Sequence, residues 1–440
     1  MIKNLFTNKK ILIMGLGLHG GGVGVVKFFC EQNAEVLVTD LKNEDKLKES
    51  LDKIKKFKNI KYTLGKHVEA DFIWADLIIK NPDVPNTSLY LEIAKKHKKP
   101  IETDISLFLK FSGAFIIGVT GTKGKSTTAS LIYHILSTQK QSALNGKVFL
   151  AGNIGISPLE LLPLVKKNDK VVLELSSFEL ENLTQSPNIA VVTNIMPDHL
   201  NRYKSMTEYI EAKKIIFKYQ KKNDILIINK DNSIVRQFAN QARGKVIFFS
   251  KTEKHDSFNL LGEHNLYNLS AAIEVAKCLK IPIKNIEKSL KTFKGVSSRQ
   301  EFVREVNGIK YFNDTTATMP DATIIAINTF LENFPNSRLI LICGGQNKEL
   351  KYNDLARIIG ERVDEVVMLP GTASDKIKDG LGNYTRIHNV FTMQEAVKTS
   401  KKLAKKGDIV ILSPAAASFN IFKNEFDRGN QFVKFVKELK

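Results

Sequence analysis

Residues 115–127 read FIIGVTGTKGKST, and this stretch decides the fold. Its apolar run, Phe115–Thr120, has the pattern of a buried strand, and the residues after the glycine turn have the pattern of a helix. Glycines in such a turn let backbone N–H groups face phosphate oxygens, and the helix N-terminus adds its positive end. Lys125 can reach the β- and γ-phosphates of a nucleotide, and the Ser126 hydroxyl can bind Mg²⁺. The stretch therefore predicts a mononucleotide-binding site.

The turn is a shortened form of the Walker pattern, because Val119 stands where the full pattern has its first glycine. The alternative interpretation is a structural glycine turn without a ligand. A GKST sequence set between an apolar strand and a helix favours nucleotide binding, since a bare GKS match is far more common by chance.

Similar apolar runs alternate with helical periodicity on both sides of this stretch. They are continuously apolar, as expected for parallel strands that are covered on both faces. We therefore predict an α/β fold with doubly wound sheets. The other predicted strands are Ile11–Gly17, Glu35–Asp40, Val171–Ser177, Ala190–Asn194, Asp224–Asn229, Val246–Ser250, Leu339–Gly345 and Ile409–Pro414.

The 440 residues suggest two to four domains. Three blocks each contain their own strand and glycine turn, so we predict domains at 1–104, 105–297 and 298–440. The first block contains GLGLHG at residues 15–20, and the third contains CGGQNK at residues 343–348.

Composition excludes several classes of protein. Apolar residues make up 43% and charged residues 25% of the chain, which is typical of a globular protein. No apolar run approaches the ~18–20 residues that span a bilayer, and we expect no signal peptide. The three cysteines are far apart and form no CxxC pair, which favours a reducing cytoplasm over a disulfide framework.

The net charge of +20 would fit a nucleic-acid-binding protein. Its distribution argues against that interpretation. The lysine runs at 95–99 and 401–406 each follow an amphipathic stretch and precede an apolar one. They are typical of helix C-termini, where cations complement the helix dipole. We expect solvated lysines and no nucleic-acid partner.

The first block has the pattern Gly15-x-Gly17-x-x-Gly20 after a predicted strand, and Asp40 ends the next strand. This is a dinucleotide fingerprint, but it suits any ligand with a pyrophosphate and a ribose, including a UDP-sugar. A tight turn without a ligand is the remaining alternative. The second nucleotide loop in the same chain makes a simple NAD enzyme the weaker interpretation.

Two further polar residues of the middle block follow predicted strands. Glu174 lies at the end of one strand, and His199 follows another. Because ligands gather at the carboxyl ends of parallel strands, we expect both side chains to converge beside Lys125. A carboxylate suits Mg²⁺. The alternative for each residue alone is a buried polar group with structural partners.

At this point the sequence resembles the Mur ligase family of ATP-dependent amide ligases, over essentially the whole chain. GTxGKST, ELSSF and HN-x-x-N are shared across that family, and the C-terminal string is similar to its D-glutamate-adding branch. The strings that carry the resemblance are GLGLHG, GVTGTKGKSTTA, AGNIG, LELSSFELE, TNIMPDHLNRY, YIEAKK, GEHNLYNLSAA, YFNDTTAT, CGGQNK and SPAAASFNIFKNEFDRGNQF.

The resemblance implies a fold with a Rossmann-like N-terminal domain, a P-loop-type central ATPase domain and a Rossmann-like C-terminal domain. It also implies roles for individual residues. ATP would be held by Gly121, Thr122, Lys123, Gly124, Lys125, Ser126, Thr127, Asn265, Asn268, Arg299 and Asp314. The UDP-substrate would be held by Leu18, His19, Asp40, Asn153 and Ser176. D-Glutamate would be held by Thr318, Lys348, Ser418 and Phe426.

Four catalytic residues are implied in the same way: Lys125, Glu174, His199 and Lys213. Mg²⁺ would be bound by Ser126, Glu174, His199 and a CO₂-derived carbamate on Lys213, with Asp198 in support. A carbamate forms only on a neutral amine, so the site must depress the pKa of Lys213. The alternative is a solvated helix lysine, which is our prediction for the neighbouring Lys214.

Several positions depart from the family pattern. Lys123 stands where asparagine is usual, Glu179 where glutamine is usual, and Ser298 where histidine is common. Thr316 replaces a lysine expected near the amino-acid substrate, and the turn expected to contact uridine reads Asn81-Pro82-Asp83. These departures bear on the substrate contacts more than on the ATP site.

The implied reaction joins D-glutamate to UDP-N-acetylmuramoyl-L-alanine through an acyl phosphate, in the cytoplasmic synthesis of peptidoglycan precursors. The cofactors would be ATP and Mg²⁺, the partners would be these small molecules, and we expect a monomer. Three alternatives remain: another Mur-type or folylpolyglutamate-type ligase, a nicotinamide dehydrogenase built on GLGLHG, and a nucleotide-binding regulator without catalysis.

Overall fold

The computed structural model describes residues 4–18, 20–199, 202–253, 258, 260–418 and 421–440. They form three sheets flanked by helices. Two compact units result: Met1–Ser257 with Leu266–Lys291, and Phe258–Asn265 with Thr292–Lys440. The first unit contains two of the sheets. No helix in the described ranges is long and apolar enough to cross a bilayer.

The first sheet is parallel throughout, with the strand order β3-β2-β1-β4-β5. Its two faces bury separate sets of side chains, since Ile11 and Ile13 belong to one apolar cluster and Leu12 and Met14 to another. Burial on both faces explains the continuous apolar runs in the sequence. The strands are β1 (Lys10–Met14), β2 (Glu35–Asp40), β3 (Ile60–Leu64), β4 (Leu77–Lys80) and β5 (Ile101–Glu102). The helices are α1 (Gly21–Glu31), α2 (Glu44–Asp52), α3 (Glu69–Trp74), α4 (Leu89–Lys96) and α5 (Asp104–Phe111).

The second sheet is also parallel, with the order β11-β10-β9-β6-β8-β7. The strand before the glycine turn, β6, lies between β9 and β8, so the turn opens at the centre of the sheet edge. The strands are β6 (Phe115–Thr120), β7 (Val148–Gly152), β8 (Lys170–Glu174), β9 (Ile189–Val192), β10 (Ile225–Asn229) and β11 (Lys245–Phe249). The helices are α6 (Lys125–Ser137), α7 (Gln141–Leu144), α8 (Pro158–Leu161), α9 (Ser177–Leu180), α10 (Met206–Lys218), α11 (Ser233–Arg236), α12 (Glu263–Cys278) and α13 (Ile283–Leu290), with a 3₁₀ turn at Gln237–Gln241.

The third sheet has the order β12-β13-β17-β14-β15-β16. It departs from the fully parallel prediction, because β12 and β13 pair antiparallel. The strands are β12 (Glu301–Val306), β13 (Ile309–Asn313), β14 (Leu339–Cys343), β15 (Glu365–Met368), β16 (Ile387–Asn389) and β17 (Ile409–Leu412). The helices are α14 (Pro320–Asn333), α15 (Asn353–Arg362), α16 (Thr372–Leu381), α17 (Met393–Leu403) and α18 (Glu425–Lys437).

The antiparallel pair is a two-residue hairpin that our sequence analysis missed. Val306 pairs with Ile309, and Asn307 and Gly308 between them have φ angles of 53° and 78°. Two consecutive positive φ angles are typical of a type I′ turn, for which Asn-Gly is the strongest short-range signal. The dipeptide was therefore visible in the sequence.

The predicted strands all exist, but several predictions continue past the true end. The strand predicted at Ile11–Gly17 ends at Met14, and the one predicted at Leu339–Gly345 ends at Cys343. In both cases the next residue is a glycine with positive φ, Gly15 at 94° and Gly344 at 106°, which turns the chain out of the sheet.

The α/β class and the three-domain organisation are confirmed, whereas the boundaries at 104/105 and 297/298 stay predictions. The predicted positions of two lysine runs are also confirmed. Lys95 and Lys96 lie in the last turn of α4, and Lys401 and Lys402 lie in the last turn of α17.

Candidate active site

The phosphate-loop glycines are required by both backbone conformation and space. Gly121 has φ of 147°, and a Cβ there would lie 1.9 Å from Thr193 Oγ1. Gly124 has φ of 84°, and a Cβ there would lie 2.3 Å from Asn268 Oδ1. No other residue type fits these positions without displacing the neighbouring strand end or helix. The loop is thereby packed tightly at the start of α6.

Two lysine amines meet at one carbonyl oxygen in this loop. Lys125 Nζ donates to Gly121 O at 3.1 Å and to Thr122 O at 2.9 Å. Lys213 Nζ donates to the same Gly121 O at 2.9 Å and lies 3.4 Å from Thr120 Oγ1. Both amines therefore lie at the carboxyl end of β6.

Lys213 is buried, with 1% of its surface exposed. Burial, and then the nearby Lys125 ammonium, hold the pKa of Lys213 well below its usual value. The interpretation of Lys213 as a solvated helix lysine is therefore wrong. The side chain lies at the sheet edge, where its surroundings make loss of the ammonium proton easier than in water.

The sequence of α10 explains how a lysine comes to be buried. The buried side chains of this helix recur at intervals of three or four residues, which is the spacing of one helix face. Lys213 lies on that face, one turn after Tyr209, whose hydroxyl is 3.1 Å from Thr122 Oγ1. Lys214 lies outside this helix face. Its side chain is mostly covered by protein and is not solvated, because its ammonium pairs with Glu211 at 2.6 Å and lies over the Phe238 ring.

Glu174 ends β8 beside the loop, as predicted, and only 1% of it is exposed. Asn153 Nδ2 donates to Glu174 Oε1 at 3.1 Å, while Oε2 is buried and has no hydrogen-bond partner among the residues that the structure describes. A buried carboxylate oxygen without a partner is costly, and a bound cation would satisfy it. Within the described ranges, no group of three or more His, Cys, Asp and Glu side chains could hold a metal by itself.

His199 lies in a loop seven residues beyond the end of β9 rather than directly at a strand end. Its imidazole packs against Phe178, with ring centroids 4.9 Å apart. Burial lowers the pKa of His199, Asp198 opposes that effect, and the cations of Lys125 and Lys123 lower the pKa further. The imidazole is thus kept in the neutral form that can bind a metal.

Asp198 connects this histidine loop to the phosphate loop. Its carboxylate accepts a hydrogen bond from Lys123 Nζ at 3.3 Å. Burial acts to raise the pKa of Asp198, but the Lys123 ammonium and the hydrogen bonds from Lys123 Nζ and His199 N outweigh it and hold the pKa below its usual value. The lysine at position 123 therefore has an ionic partner that the asparagine expected from the family pattern would lack.

Glu179 lies in α9, five residues after Glu174, and is nearly fully buried. Its backbone N–H donates to Ser176 Oγ at 3.2 Å, and its own Oε2 accepts from Ser176 N at 2.6 Å, so the two residues cap α9 reciprocally. Burial raises the pKa of Glu179 to about 8, and the carboxylates of Asp104 and Glu174 add to the rise. A protonated carboxyl has the shape and hydrogen-bonding capacity of the glutamine expected here.

In the first domain, the Asp40 carboxylate is used by the glycine turn itself. Its Oδ2 accepts from Leu16 N at 2.9 Å and from Gly17 N at 3.1 Å, and its Oδ1 accepts from Lys42 N. Asp40 therefore orders the turn. Leu18 is 40% exposed beside it, and His19 lies outside the described residues.

Arg202 is a residue to which the sequence analysis gave no role. Its guanidinium donates to Asp83 O at 2.7 Å and to Pro82 O at 3.0 Å, and it lies 3.6 Å from Glu181 Oε2. Arg202 therefore ties the Asn81-Pro82-Asp83 turn to the histidine loop three residues after His199. No motif signalled this contact, because it joins segments about 120 residues apart.

Three of the four further residues implied in nucleotide binding have internal hydrogen-bond partners. Asn268 Oδ1 accepts from Thr128 Oγ1 at 3.2 Å, and Asn265 Nδ2 donates to Leu261 O at 2.7 Å. Asp314 accepts from Gln300 N and from Ser413 Oγ, and burial raises its pKa to about 7. Arg299 is exposed.

Three residues implied in amino-acid binding lie in the third domain's loops. Lys348 Nζ donates to Thr318 Oγ1 at 3.0 Å. Ser418 is 1% exposed, and its hydroxyl has no hydrogen-bond partner in the described part of the chain. Phe426 is 48% exposed on α18. Thr316, in the place of the expected lysine, donates its hydroxyl to Ser298 O at 2.9 Å, so it supplies no charge to this group.

Comparisons with known proteins identify all three domains. A model of the Mur ligase MurD-like N-terminal domain matches residues 9–102. A model of the Mur ligase middle domain matches residues 119–259, and one of the Mur ligase glutamate ligase domain matches residues 298–416. The three matches follow one another along most of the chain.

Curated relatives match over the full length. The chain is 39% identical to the UDP-N-acetylmuramoylalanine--D-glutamate ligase of Roseiflexus sp. (strain RS-1), with 98% of this chain and 99% of that one covered. It is 36% identical to the ligase of the same name from Acetivibrio thermocellus, with 99% and 98% covered. The Borreliella afzelii ligase of that name is 37% identical, with 100% and 99% covered.

Solved structures share the fold at lower identity. UDP-N-acetylmuramate-alanine ligase MurC from Thermotoga maritima aligns with a TM-score of 0.65 at 20% identity, covering 98% of this chain and 100% of that one. MurF from Acinetobacter baumannii aligns with a TM-score of 0.61 at 17% identity, covering 98% and 94%. These likenesses concern the three-domain α/β architecture.

The buried Glu179 generates a prediction about the pH dependence of stability. Its pKa of about 8 in the folded protein exceeds the 4.5 of an exposed glutamate, so between these values the folded state holds a proton that the unfolded state has lost. As pH rises between these two pKa values, this group therefore lowers the free energy of unfolding by an increasing amount. Glu179→Gln should raise the melting temperature relative to the unsubstituted protein at pH 8.5 much more than at pH 5.

Scanning calorimetry or dye-monitored melting at the two pH values measures this effect. The exposed Glu332→Gln serves as the matched control and should show no such pH-dependent difference. An equal shift at pH 5 and pH 8.5 for Glu179→Gln would contradict the assignment of a neutral carboxyl.

Proposed function

The chain belongs to the Mur ligase family, and from that premise we propose that it adds D-glutamate to UDP-N-acetylmuramoyl-L-alanine at the expense of ATP. The observation that carries the proposal is the full-length match to curated relatives named as this ligase, at 36–39% identity. The pair of Lys125 with the buried Lys213, and the Glu174 carboxylate at the edge of the second sheet, support it, because they suit phosphoryl transfer.

The phosphate loop would bind ATP through its backbone N–H groups and the Lys125 ammonium. Residues 121–127 would surround the phosphates, with Asn265, Asn268, Arg299 and Asp314 contributing to the nucleotide site. Lys125 would neutralise the charge that develops on the transferring γ-phosphoryl group. Its amine now donates to two loop carbonyls, and the same amine would turn to phosphate oxygens when a nucleotide binds.

The site also fits a magnesium ion. The buried Glu174 Oε2 has no hydrogen-bond partner within the described ranges, and a carboxylate oxygen is a ligand that Mg²⁺ prefers. Ser126, Glu174, His199 and a carbamylated Lys213 would hold the ion. Bound Mg²⁺ would offset the negative charge of the phosphates.

The proposed carbamate on Lys213 is supported by its burial and its depressed pKa. A neutral amine can attack CO₂, which forms a nitrogen–carbon bond and releases one proton. The product is an anionic oxygen group, whereas an ammonium at the same place would repel a metal ion. The proximity of Lys125 favours this conversion, because it opposes a second positive charge on Lys213.

The chemistry would proceed in two steps. The γ-phosphoryl group passes to the alanine carboxylate, and ADP leaves. The amine of D-glutamate then attacks the acyl phosphate, phosphate departs, and the nitrogen loses a proton as the amide forms. The protein's part is to align the groups and to exclude water from the acyl phosphate.

The remaining site assignments belong to the same proposal. Leu18, His19, Asp40, Asn153 and Ser176 would hold the UDP-sugar, and Thr318, Lys348, Ser418 and Phe426 would hold D-glutamate. We also propose that the enzyme acts as a monomer in the cytoplasm, in peptidoglycan precursor synthesis.

Phosphate release from ATP tests the function. The full chain is assayed with ATP, Mg²⁺, UDP-MurNAc-L-Ala and D-glutamate, and each component is omitted in turn. We expect ADP and phosphate to form in step with the amide, only when all components are present. Nucleotide binding without substrate-dependent phosphate release would favour a regulator, and binding of NAD instead of the UDP-sugar would favour a dehydrogenase.

The phosphate loop yields a direct prediction. Lys125→Ala should lower kcat by on the order of 100-fold or more, since it removes the cation assigned to the transferring phosphoryl group. The exposed Lys222→Ala should leave kcat unchanged. Both are measured by coupled ADP assay, with melting temperatures as a check on folding. A folded Lys125→Ala enzyme with near-normal kcat would remove the ATP-loop assignment.

Lys213 yields a second prediction. Lys213→Ala should be nearly inactive, and added formate or acetate should restore part of the activity by supplying the missing carboxylate oxygens. Lys214→Ala, one position along the same helix, should remain active without any response to formate. Full activity of Lys213→Ala, or an inactive enzyme that no short carboxylate restores, would argue against the carbamate.

A further inference from the structure

Arg428, on α18, is a fully buried cation with neutral partners. It is 0% exposed. Its Nε donates to Thr315 Oγ1 at 3.0 Å, its Nη2 to Thr315 O at 2.8 Å and its Nη1 to Ala416 O at 3.1 Å. Across the residues that the structure describes, no carboxylate lies within ion-pair distance of this guanidinium, although the Glu425 carboxylate, three residues earlier on α18, raises its pKa and offsets part of the lowering that burial causes. A buried charge whose hydrogen bonds go only to neutral groups is costly, so its retention calls for an explanation.

The two segments that Arg428 joins are the ones that carry candidate D-glutamate residues. Thr318 lies three residues after Thr315, and Ser418 lies two residues after Ala416. A backbone hydrogen bond from Ala415 N to Ala317 O at 2.9 Å also connects the segments. The guanidinium donates hydrogen bonds to both segments and thereby fixes the distance between them.

The segment with Lys348 is attached to the same framework. Gln346 and Ala417 exchange two backbone hydrogen bonds, of 2.9 and 3.0 Å. Lys348 Nζ then donates to Thr318 Oγ1 at 3.0 Å. The three segments are therefore held together as one connected wall, to which Arg428 is attached through Thr315 and Ala416.

The charge of Arg428 reaches this wall. Burial lowers the pKa of Lys348, Glu425 opposes that effect, and the Arg428 cation lowers the pKa further. The buried Ser418 hydroxyl, which has no hydrogen-bond partner among the described residues, is a ready donor for a carboxylate oxygen. The cations of Arg428 and Lys348 act against the one Glu425 carboxylate that faces both, so the positive charge in excess and the hydroxyl suit an anionic ligand.

We propose that Arg428 is a positioning residue for the amino-acid pocket and contributes to its preference for an acidic side chain. It holds Thr318 and Ser418 at their spacing, and its charge adds to that of Lys348 against the opposing carboxylate of Glu425. This inference rests on the proposed function, since it takes D-glutamate as the amino-acid substrate.

Steady-state kinetics of three variants test the proposal. Arg428→Lys keeps the charge but cannot make the forked hydrogen bonds, and Arg428→Met keeps much of the volume without charge. Arg304→Lys is the matched control, because Arg304 donates to Lys437 O of the same helix at a site away from the pocket. KM and kcat are measured separately for D-glutamate, ATP and UDP-MurNAc-L-Ala.

We expect Arg428→Lys to raise the KM for D-glutamate by on the order of tenfold, the typical effect of losing a hydrogen bond to a charged group. The KM values for ATP and the UDP-sugar should stay unchanged. Arg428→Met should raise the KM for D-glutamate further. It should also reduce the preference for D-glutamate over the uncharged D-glutamine, whereas Arg428→Lys should keep that preference. If Arg428 only stabilised the fold, Arg428→Met would change all three KM values together, or it would leave the preference for D-glutamate over D-glutamine unchanged.

Thr315→Val covers the case in which the arginine variants do not fold. It removes one acceptor of the guanidinium in a side chain of similar shape, and the KM for D-glutamate alone should rise. Unchanged D-glutamate kinetics in the folded variants would overturn the inference. If the unsubstituted enzyme showed no D-glutamate-dependent phosphate release, the proposed function itself would be wrong, which is a separate outcome.

Discussion

Two lysine amines share one carbonyl oxygen, that of Gly121, and the chemistry we propose depends on this arrangement. Lys125 and Lys213 both donate to it, at 3.1 and 2.9 Å. Two ammonium groups this close repel each other in a buried setting, so one amine is driven towards neutrality. Lys213 is the more buried of the two, and its pKa is the one held far below normal. The site thus contains one cation suited to phosphate and one amine suited to modification.

The parallel sheet brings these groups together. The phosphate loop follows the central strand β6, and Glu174 ends the adjacent β8, so both open at the same edge. Gly121 admits no side chain because Thr193 lies against it. Strand order and glycine spacing therefore set the distance between the loop and its acidic neighbour before any ligand is present. Open α/β enzymes commonly have a rigid sheet that positions reactive loops in this way.

Much of this could be predicted from sequence, for a physical reason. Local signals such as the strand-to-glycine turn, the apolar runs and the lysine-rich helix ends depend on near neighbours along the chain. Contacts between distant segments left no such signal. Only the folded structure revealed three such contacts. Arg202 binds backbone carbonyls of the Asn81-Pro82-Asp83 turn, Asp40 binds the glycine turn, and Arg428 binds two loops of the third domain. The antiparallel hairpin at Asn307-Gly308 is different, because its turn signal was present and was overlooked.

The central claim is that the edge of the second sheet transfers a phosphoryl group to the substrate's carboxylate before the amide forms. Transfer of ¹⁸O tests it most directly. UDP-MurNAc-L-Ala labelled with ¹⁸O in both oxygens of the alanine carboxylate is converted with ATP and D-glutamate, and the released phosphate is analysed by mass spectrometry. The account predicts that every phosphate released with amide formation carries one ¹⁸O atom from the carboxylate. Unlabelled phosphate, formed at the same rate as the amide, would contradict it.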